Sequence, residues 1–217
     1  MATRKIRPRQ FIDGFCLYGS VPRGTAVVGR SDLDVSIVLN TSIGKKEKRV
    51  FQHLSDCIPK AYPQVSKLDI DPGFLSEVLQ PQEKFHWQFW LKHCCCCIWG
   101  NDLSIDFPRY KPSREIAQAL NGDLSTFLEQ MSPAFKTMTD ADAAKVIGKK
   151  LVRAAYYSVA EKDGSWYTNL NQCTAVAKRH YPEQSDDIEL ANQYALGQLT
   201  SKVEALDLYE RLSNNLS

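Results

Sequence analysis

The run DLDVSIVL, Asp32 to Leu39, most narrows what this chain can fold into. Period-two geometry puts Asp32 and Asp34 on one side of a strand, with Leu33 and Val35 on the other. Beyond Asp34 the run turns apolar, as a strand inside a buried sheet does. Two carboxylates about 7 Å apart along a strand repel each other, so the pattern costs stability unless a cation sits between them. A hard, oxygen-seeking divalent ion such as Mg²⁺ is the natural occupant, and Mg²⁺ usually brings substrate phosphates with it.

The neighbouring segments supply the rest of a sheet. GFCLYG is a short apolar run ending at Gly19-Ser20, and VSKLDID alternates with period two up to Pro72-Gly73, so both read as strands. Between the second and third strands, Val50, Phe51, Leu54 and Ile58 recur at helical spacing, giving a helix over about 42–62 that Pro59 and Pro63 bring to an end. Asp69 and Asp71 share one face of the third strand. If that strand lies beside the second, one of them joins Asp32 and Asp34.

The second half changes character. PSREIAQALNGDLSTFLEQM, DADAAKVIGKKLVRAAYYSVAEKDG, NLNQCTAVAKRHYP and DDIELANQYALGQLTSKVEALDLYERLSNNL all carry apolar residues at helical spacing, which predicts four or five helices packed as a bundle. The expected fold is α+β: a mixed sheet flanked by helices over 1–107, then a helical domain over 108–217, with the boundary near FPRYKPSRE.

With 217 residues, 43% of them apolar and 24% charged, the chain can bury a core, and no stretch approaches the roughly 18 apolar residues of a membrane span. The N-terminal MATRKIRPRQF has basic residues with no apolar segment behind them, so a cytoplasmic protein is expected. A net charge of +2 is too small for a nucleic-acid footprint from bulk electrostatics, although Arg4, Lys5, Arg7, Arg9 and Lys45, Lys46, Lys48, Arg49 form two local basic clusters. Seven cysteines, four of them consecutive at Cys94 to Cys97, do not make a disulfide framework, and the run reads as buried structural thiols in an aromatic segment. His86 and His93 are spaced to share a helix face and read as packing residues.

Gly19-Ser20 follows a strand, where a helix start or tight turn offers free backbone N–H groups to a phosphate; Gly lets the backbone come close and Ser adds a hydroxyl. Arg23 places a cation in the same loop. A phosphate cradle beside metal-binding carboxylates is the equipment of phosphoryl or nucleotidyl transfer. A Gly-Ser pair or a D-x-D is common by itself; the order of the two, the 11 residues between them and the flanking apolar strands are far more specific.

LYGSVPRGTAVVGRSDLDVSIVL resembles the core motif of the DNA polymerase beta-like nucleotidyltransferase superfamily: an apolar strand, Gly-Ser, about ten residues, then Asp-x-Asp in an apolar strand. Its Arg-Gly and Ser-Asp-Leu-Asp elements are most similar to the bacterial small nucleotidyltransferases, the aminoglycoside adenylyltransferases and minimal nucleotidyltransferases among them. GNDL at Gly100 to Leu103 and KKLVRAAYYSVAEKDGSWYT are similar to segments of the streptomycin and spectinomycin adenylyltransferases. Those enzymes carry a lysine in the next segment, where this chain reads GSWYTNLNQCTA.

The resemblance implies an enzyme that uses two Mg²⁺ ions and an NTP, with ATP expected, to transfer a nucleoside monophosphate to an acceptor hydroxyl and release pyrophosphate. Asp32, Asp34 and Asp69 would be the catalytic and metal-binding acids, the third role falling to Asp69 first and Asp71 second. Gly19, Ser20 and Arg23 would bind the phosphates, joined by Lys149 and Arg153, which stand four apart on one helix face. An aminoglycoside-type small molecule is the expected acceptor. The alternatives are transfer to a protein or tRNA, which the basic clusters keep open, and a nucleotide-binding regulatory module without turnover.

Overall fold

The structure, a computed structural model, describes residues 11–122 and 124–216. The basic cluster at 4–9 lies outside them. By its internal contacts the chain divides between Tyr110 and Lys111 into two compact units. Its fold is α+β.

The first unit is built on strands β1 (Ile12–Tyr18), β2 (Leu33–Leu39), β3 (Leu68–Phe74) and β4 (Cys96–Gly100), in the sheet order β3-β2-β1-β4. β1 runs antiparallel to both β2 and β4, while β2 and β3 are parallel. A parallel pair needs a crossover, and helix α1 (Lys45–Ala61) provides it. β3 continues through Pro72 to Phe74, past the break expected at Pro72-Gly73. An edge strand tolerates a proline, because its outward N–H has no ladder bond to lose.

Alternation on β2 decides which side chains meet which layer. Val35, Ile37 and Leu39 face a core shared with Leu68, Phe51 and Ile58, beneath α1. Val38 and Cys16 face the opposite core with Val78, Trp87, Leu91 and Phe107. That second layer comprises α2 (Leu75–Val78) and α3 (Trp87–His93). Each large apolar side chain removed from water in these cores contributes about 1.5–3 kcal/mol.

β4 was not expected, because four cysteines carry no turn or alternation signal to set a strand apart from the helix before it. Cys94 ends α3, and Cys97 lies opposite Cys16 in the sheet. The expectation of buried thiols holds in part: Cys16 is buried, Cys94, Cys95 and Cys97 are half-buried, and Cys96 is exposed because β4 is a sheet edge. Burial pushes the Cys16 thiol up to about 12, with help from Cys97. Burial likewise drives the Cys95 thiol far above its usual range. His86 sits ahead of α3 rather than on it and bonds to Glu83 at 2.9 Å, so it shares no helical face with His93.

The second unit is all helical: α4 (Arg114–Asn121), α5 (Leu124–Phe135), α6 (Asp140–Asp163), α7 (Leu170–His180), α8 (Ser185–Ala195) and α9 (Lys202–Asn215). Among the described residues six α-helices replace the four or five expected, because Gly122 and Gly197 take positive φ and end α4 and α8 where helical spacing alone continues. Ser113, Thr139, Asn169 and Ser201 cap α4, α6, α7 and α9 through their side-chain oxygens. α6 is the spine: Ala144, Ile147, Leu151, Val152, Ala155 and Tyr156 along it are fully buried. It packs against every other helix of the unit. Among the described residues no helix is long and apolar enough to cross a membrane.

Candidate active site

The sheet face that looks toward α3 changes chemistry along its strands. On β2 it presents Val38, then Ser36, then Asp34; on β3 it presents Gly73, Asp71 and Asp69. In the parallel register Ser36 lies opposite Asp71 and Asp34 opposite Asp69. Ser36 is fully buried and marks the edge of the core, its Oγ accepting the indole N–H of Trp90 at 3.1 Å. Past it the face is acidic.

Asp32, Asp34 and Asp69 converge there. Each is half-buried, and one carboxylate oxygen from each lies within 4.8 Å of the others. Three like charges so close repel strongly unless a cation joins them. Hard oxygen donors at this spacing fit Mg²⁺, which takes one or two carboxylates from a protein and fills its octahedron with water or phosphate oxygen. The thiol-rich β4 segment offers no such site: among the described residues this is the one group of three or more acids, histidines or cysteines close enough to share an ion. Of the two acids open on β3, the geometry brings Asp69 into the group. Asp71 lies one pleat further along, where desolvation pushes its carboxyl above the usual range and His86 opposes the shift.

Local structure holds the acids in place. Gly19 ends β1 at φ +77°, and a Cβ built there would lie 2.0 Å from Asp34 Oδ2, so only glycine lets the Asp34 carboxylate pass against this backbone. Tyr18, opposite Asp34 across β1 and β2, packs edge-on against Trp90 at 5.0 Å. Desolvation first, then Asp34, Asp71 and Asp69, hold its phenol well above the ordinary value, so it stays protonated. Lys67 Nζ pairs with Asp69 Oδ1 at 2.6 Å, and Ser66 Oγ donates to Asp32 Oδ1 at 2.6 Å.

The loop between β1 and β2 is a series of turns rather than a helix start. Val21 to Gly24 form a tight turn closed by Gly24 N–H to Val21 O at 3.0 Å, and Thr25 N–H donates to Ser20 O at 3.0 Å. This puts Gly19 and the half-buried Ser20 directly after β1 and Arg23 at the exposed tip of the turn. In the helical unit Lys149 and Arg153 stand one turn apart on α6, Lys149 half-buried and Arg153 exposed. Tyr156, Tyr157, Trp166 and Tyr167 form an aromatic cluster, with Tyr157 and Trp166 stacked at 4.7 Å.

Sequence reasoning passed over Ser66 and Lys67. They directly precede the acids of β3 in SKLDID, but their relevance depends on a register that joins residues more than thirty positions apart.

No protein-family model matches the sequence, and no curated protein matches it. Among solved structures, the chain is similar to the spectinomycin adenyltransferase AAD(9) of Enterococcus faecialis, solved with ATP and spectinomycin. The two superpose with a TM-score of 0.61 over 96% of this chain and 92% of that one, at 14% identity. They share a fold. In this chain the fold carries an acidic cluster at the end of its sheet.

Proposed function

We propose that this protein is a Mg²⁺-dependent nucleotidyltransferase that moves AMP from ATP to a hydroxyl of a small, aminoglycoside-type acceptor and releases pyrophosphate. The observation that carries this reading is the convergence of Asp32, Asp34 and Asp69 within 4.8 Å at the end of an otherwise apolar sheet. The choice of ATP and of a small acceptor is supported by the similar adenyltransferase, which was solved with ATP and spectinomycin.

In this reading Asp32 and Asp34 are the metal ligands, and Asp69 reaches both the metal and the acceptor. The ion, when bound, neutralises triphosphate charge and makes the α-phosphorus more electrophilic. The acceptor oxygen bonds to the α-phosphorus as the bond to the β-bridging oxygen breaks and pyrophosphate leaves. Asp69 takes the proton from the acceptor hydroxyl as general base. Gly19 and Ser20 offer a backbone N–H and a hydroxyl to the phosphates, and Arg23 adds positive charge at the loop tip. Tyr18, held protonated beside the cluster, keeps its hydroxyl as a donor and adds no further negative charge.

The test is transfer of label from α-labelled ATP in Mg²⁺ to a panel of aminoglycosides, lincosamides, protein and tRNA, beside an Asp32→Ala, Asp34→Ala double variant. Label on a small hydroxylated acceptor, lost in the variant, is the expected result. Label on tRNA or protein would keep the chemistry and replace the acceptor. ATP binding with no transfer to any acceptor would favour a regulatory module.

A further inference from the structure

Two adjacent residues outside the motif hold two of the three carboxylates. Lys67 Nζ is 2.6 Å from Asp69 Oδ1, and Ser66 Oγ is 2.6 Å from Asp32 Oδ1 and 3.0 Å from Arg30 O. The serine has one proton for two acceptors, and the shorter contact to a carboxylate is the charge-assisted bond it makes. Their backbone is not loose: Ser66 N–H donates to Ser31 O at 3.1 Å and Lys67 O accepts from Leu33 N–H at 2.8 Å, so both are stitched to the start of β2.

We infer that the Ser66-Lys67 pair sets the affinity of the acidic cluster for its divalent ion, with the two side chains acting in opposite senses. This rests on the reading of Asp32, Asp34 and Asp69 as a metal site. Lys67 is a resident cation: it offsets part of the repulsion among the acids while the site is empty, and an entering ion must displace its ammonium from Asp69. It therefore weakens metal binding. Ser66 fixes one oxygen of Asp32 and so limits the rotamers of that carboxylate before the ion arrives. It therefore strengthens metal binding. Both are positioning residues, since neither is placed at the reacting atoms.

The opposite signs make the inference easy to overturn. Mn²⁺, a paramagnetic substitute for Mg²⁺, is titrated into the full-length protein, and the free ion is followed by its electron paramagnetic resonance signal, with no turnover involved. Lys67→Met, which keeps an unbranched stem out to Cε and drops the charged amine, is expected to bind Mn²⁺ about three- to fivefold tighter, the scale of an exposed ion pair plus relieved repulsion. Ser66→Ala is expected to bind about three- to tenfold weaker, the scale of one lost bond to a charged group. Ser66→Thr, which keeps the hydroxyl, is expected to stay within twofold of the parent. Partial unfolding loosens a site and cannot tighten one, so a gain in Lys67→Met has no such explanation.

If the parent binds Mn²⁺ and the Lys67 and Ser66 variants all bind alike, this inference fails while the metal reading stands. If the parent binds no Mn²⁺ even with ATP present, both fall.

Discussion

The two units of the chain treat charge and polarity in opposite ways. In the helical unit Tyr156 and Asp163 are joined in one chain of hydrogen bonds, although Thr174 Oγ1 and Asn192 Oδ1 are buried without a partner among the described residues. Tyr156, fully buried at the centre of α6, accepts the Tyr167 N–H at 2.7 Å and pairs with Ser165 at 3.1 Å. Ser165 in turn donates to Asp163, whose other oxygen accepts from Arg179 and His180. In the α/β unit three carboxylates are instead brought together, Asp69 paired with Lys67 and Asp32 bonded to Ser66. The first arrangement links unlike partners; the second sets like charges against one another, which costs stability. Three like charges at the end of β2 break a local rule of good folding, and under the proposed function that is where the ligand binds.

The sharpest way to break the contrast is to remove one of the clustered charges. Asp34→Asn keeps the shape beside Gly19 and is expected to cut label transfer by about a thousandfold or more, the scale of losing electrostatic support for the transferred phosphoryl group. The same variant relieves repulsion between like charges, so its melting temperature should match or exceed the parent's. A fall in melting temperature together with activity would mean that the carboxylate is a structural group, and the contrast would be lost.

The matching change in the helical unit acts on packing alone. Gly148 lies on α6 where a Cβ would meet Ala195 N at 2.5 Å, Ala191 O at 2.6 Å and Tyr194 Cβ at 2.7 Å. Two of the three obstacles are backbone, so α8 must move away from α6. Gly148→Ala should cost about 2–3 kcal/mol in urea unfolding, the range for overpacking a filled core. Mn²⁺ binding by the folded fraction should be unchanged. An alanine tolerated at no cost would mean that α6 and α8 approach less closely than described.

How much of this was legible before the structure depends on the range of the interactions involved. Asp32 and Asp34 are visible because period two on one strand is a local property, and α1 is visible because its apolar spacing is local too. The α+β class followed from the change of period between the two halves. That Asp69 rather than Asp71 meets Asp34 is a fact of register, which needs the pairing of β2 with β3. β4 was hidden because a run of cysteines carries neither alternation nor turn residues. The splitting of α4 from α5 and of α8 from α9 turned on Gly122 and Gly197, where positive φ overrode an unbroken apolar spacing. Ser66 and Lys67 carry no local signal of their own, and only the fold sets them against the acids.

A milder test of the helical unit's closed polar network is Tyr156→Phe. The ring stays and the hydroxyl goes, leaving the Tyr167 N–H without its acceptor while Ser165 keeps its bond to Asp163. A loss of about 1–2 kcal/mol in chemical denaturation is expected, the usual cost of stranding a buried donor. A neutral result would mean that water replaces the hydroxyl, and that the unit is less dry at this point than its packing implies.

The smallest effect belongs to the α/β unit and is read through pH. His93 Nε2 accepts the Tyr110 N–H at 2.9 Å, with the ring set between Phe89 at 5.1 Å and Tyr110 at 5.9 Å. A nitrogen that accepts a hydrogen bond cannot also carry a proton. Desolvation of the ring first, then the charges of Lys92 and Arg109, hold its pKa below the ordinary 6.5. The unfolded chain therefore takes up this proton before the folded one does. The contribution of His93 is fully present above pH 6.5 and declines as the pH falls from there toward the folded value, levelling off below it. His93→Gln keeps an acceptor for Tyr110 without a titration, so the stability difference between parent and variant should shrink or change sign as the pH drops through that window. Because every other residue is the same in both proteins, the difference isolates this ring. A difference that stays flat from pH 8 to pH 5 would mean that the imidazole is free to protonate and that its bond to Tyr110 does not hold the segment after β4 in place.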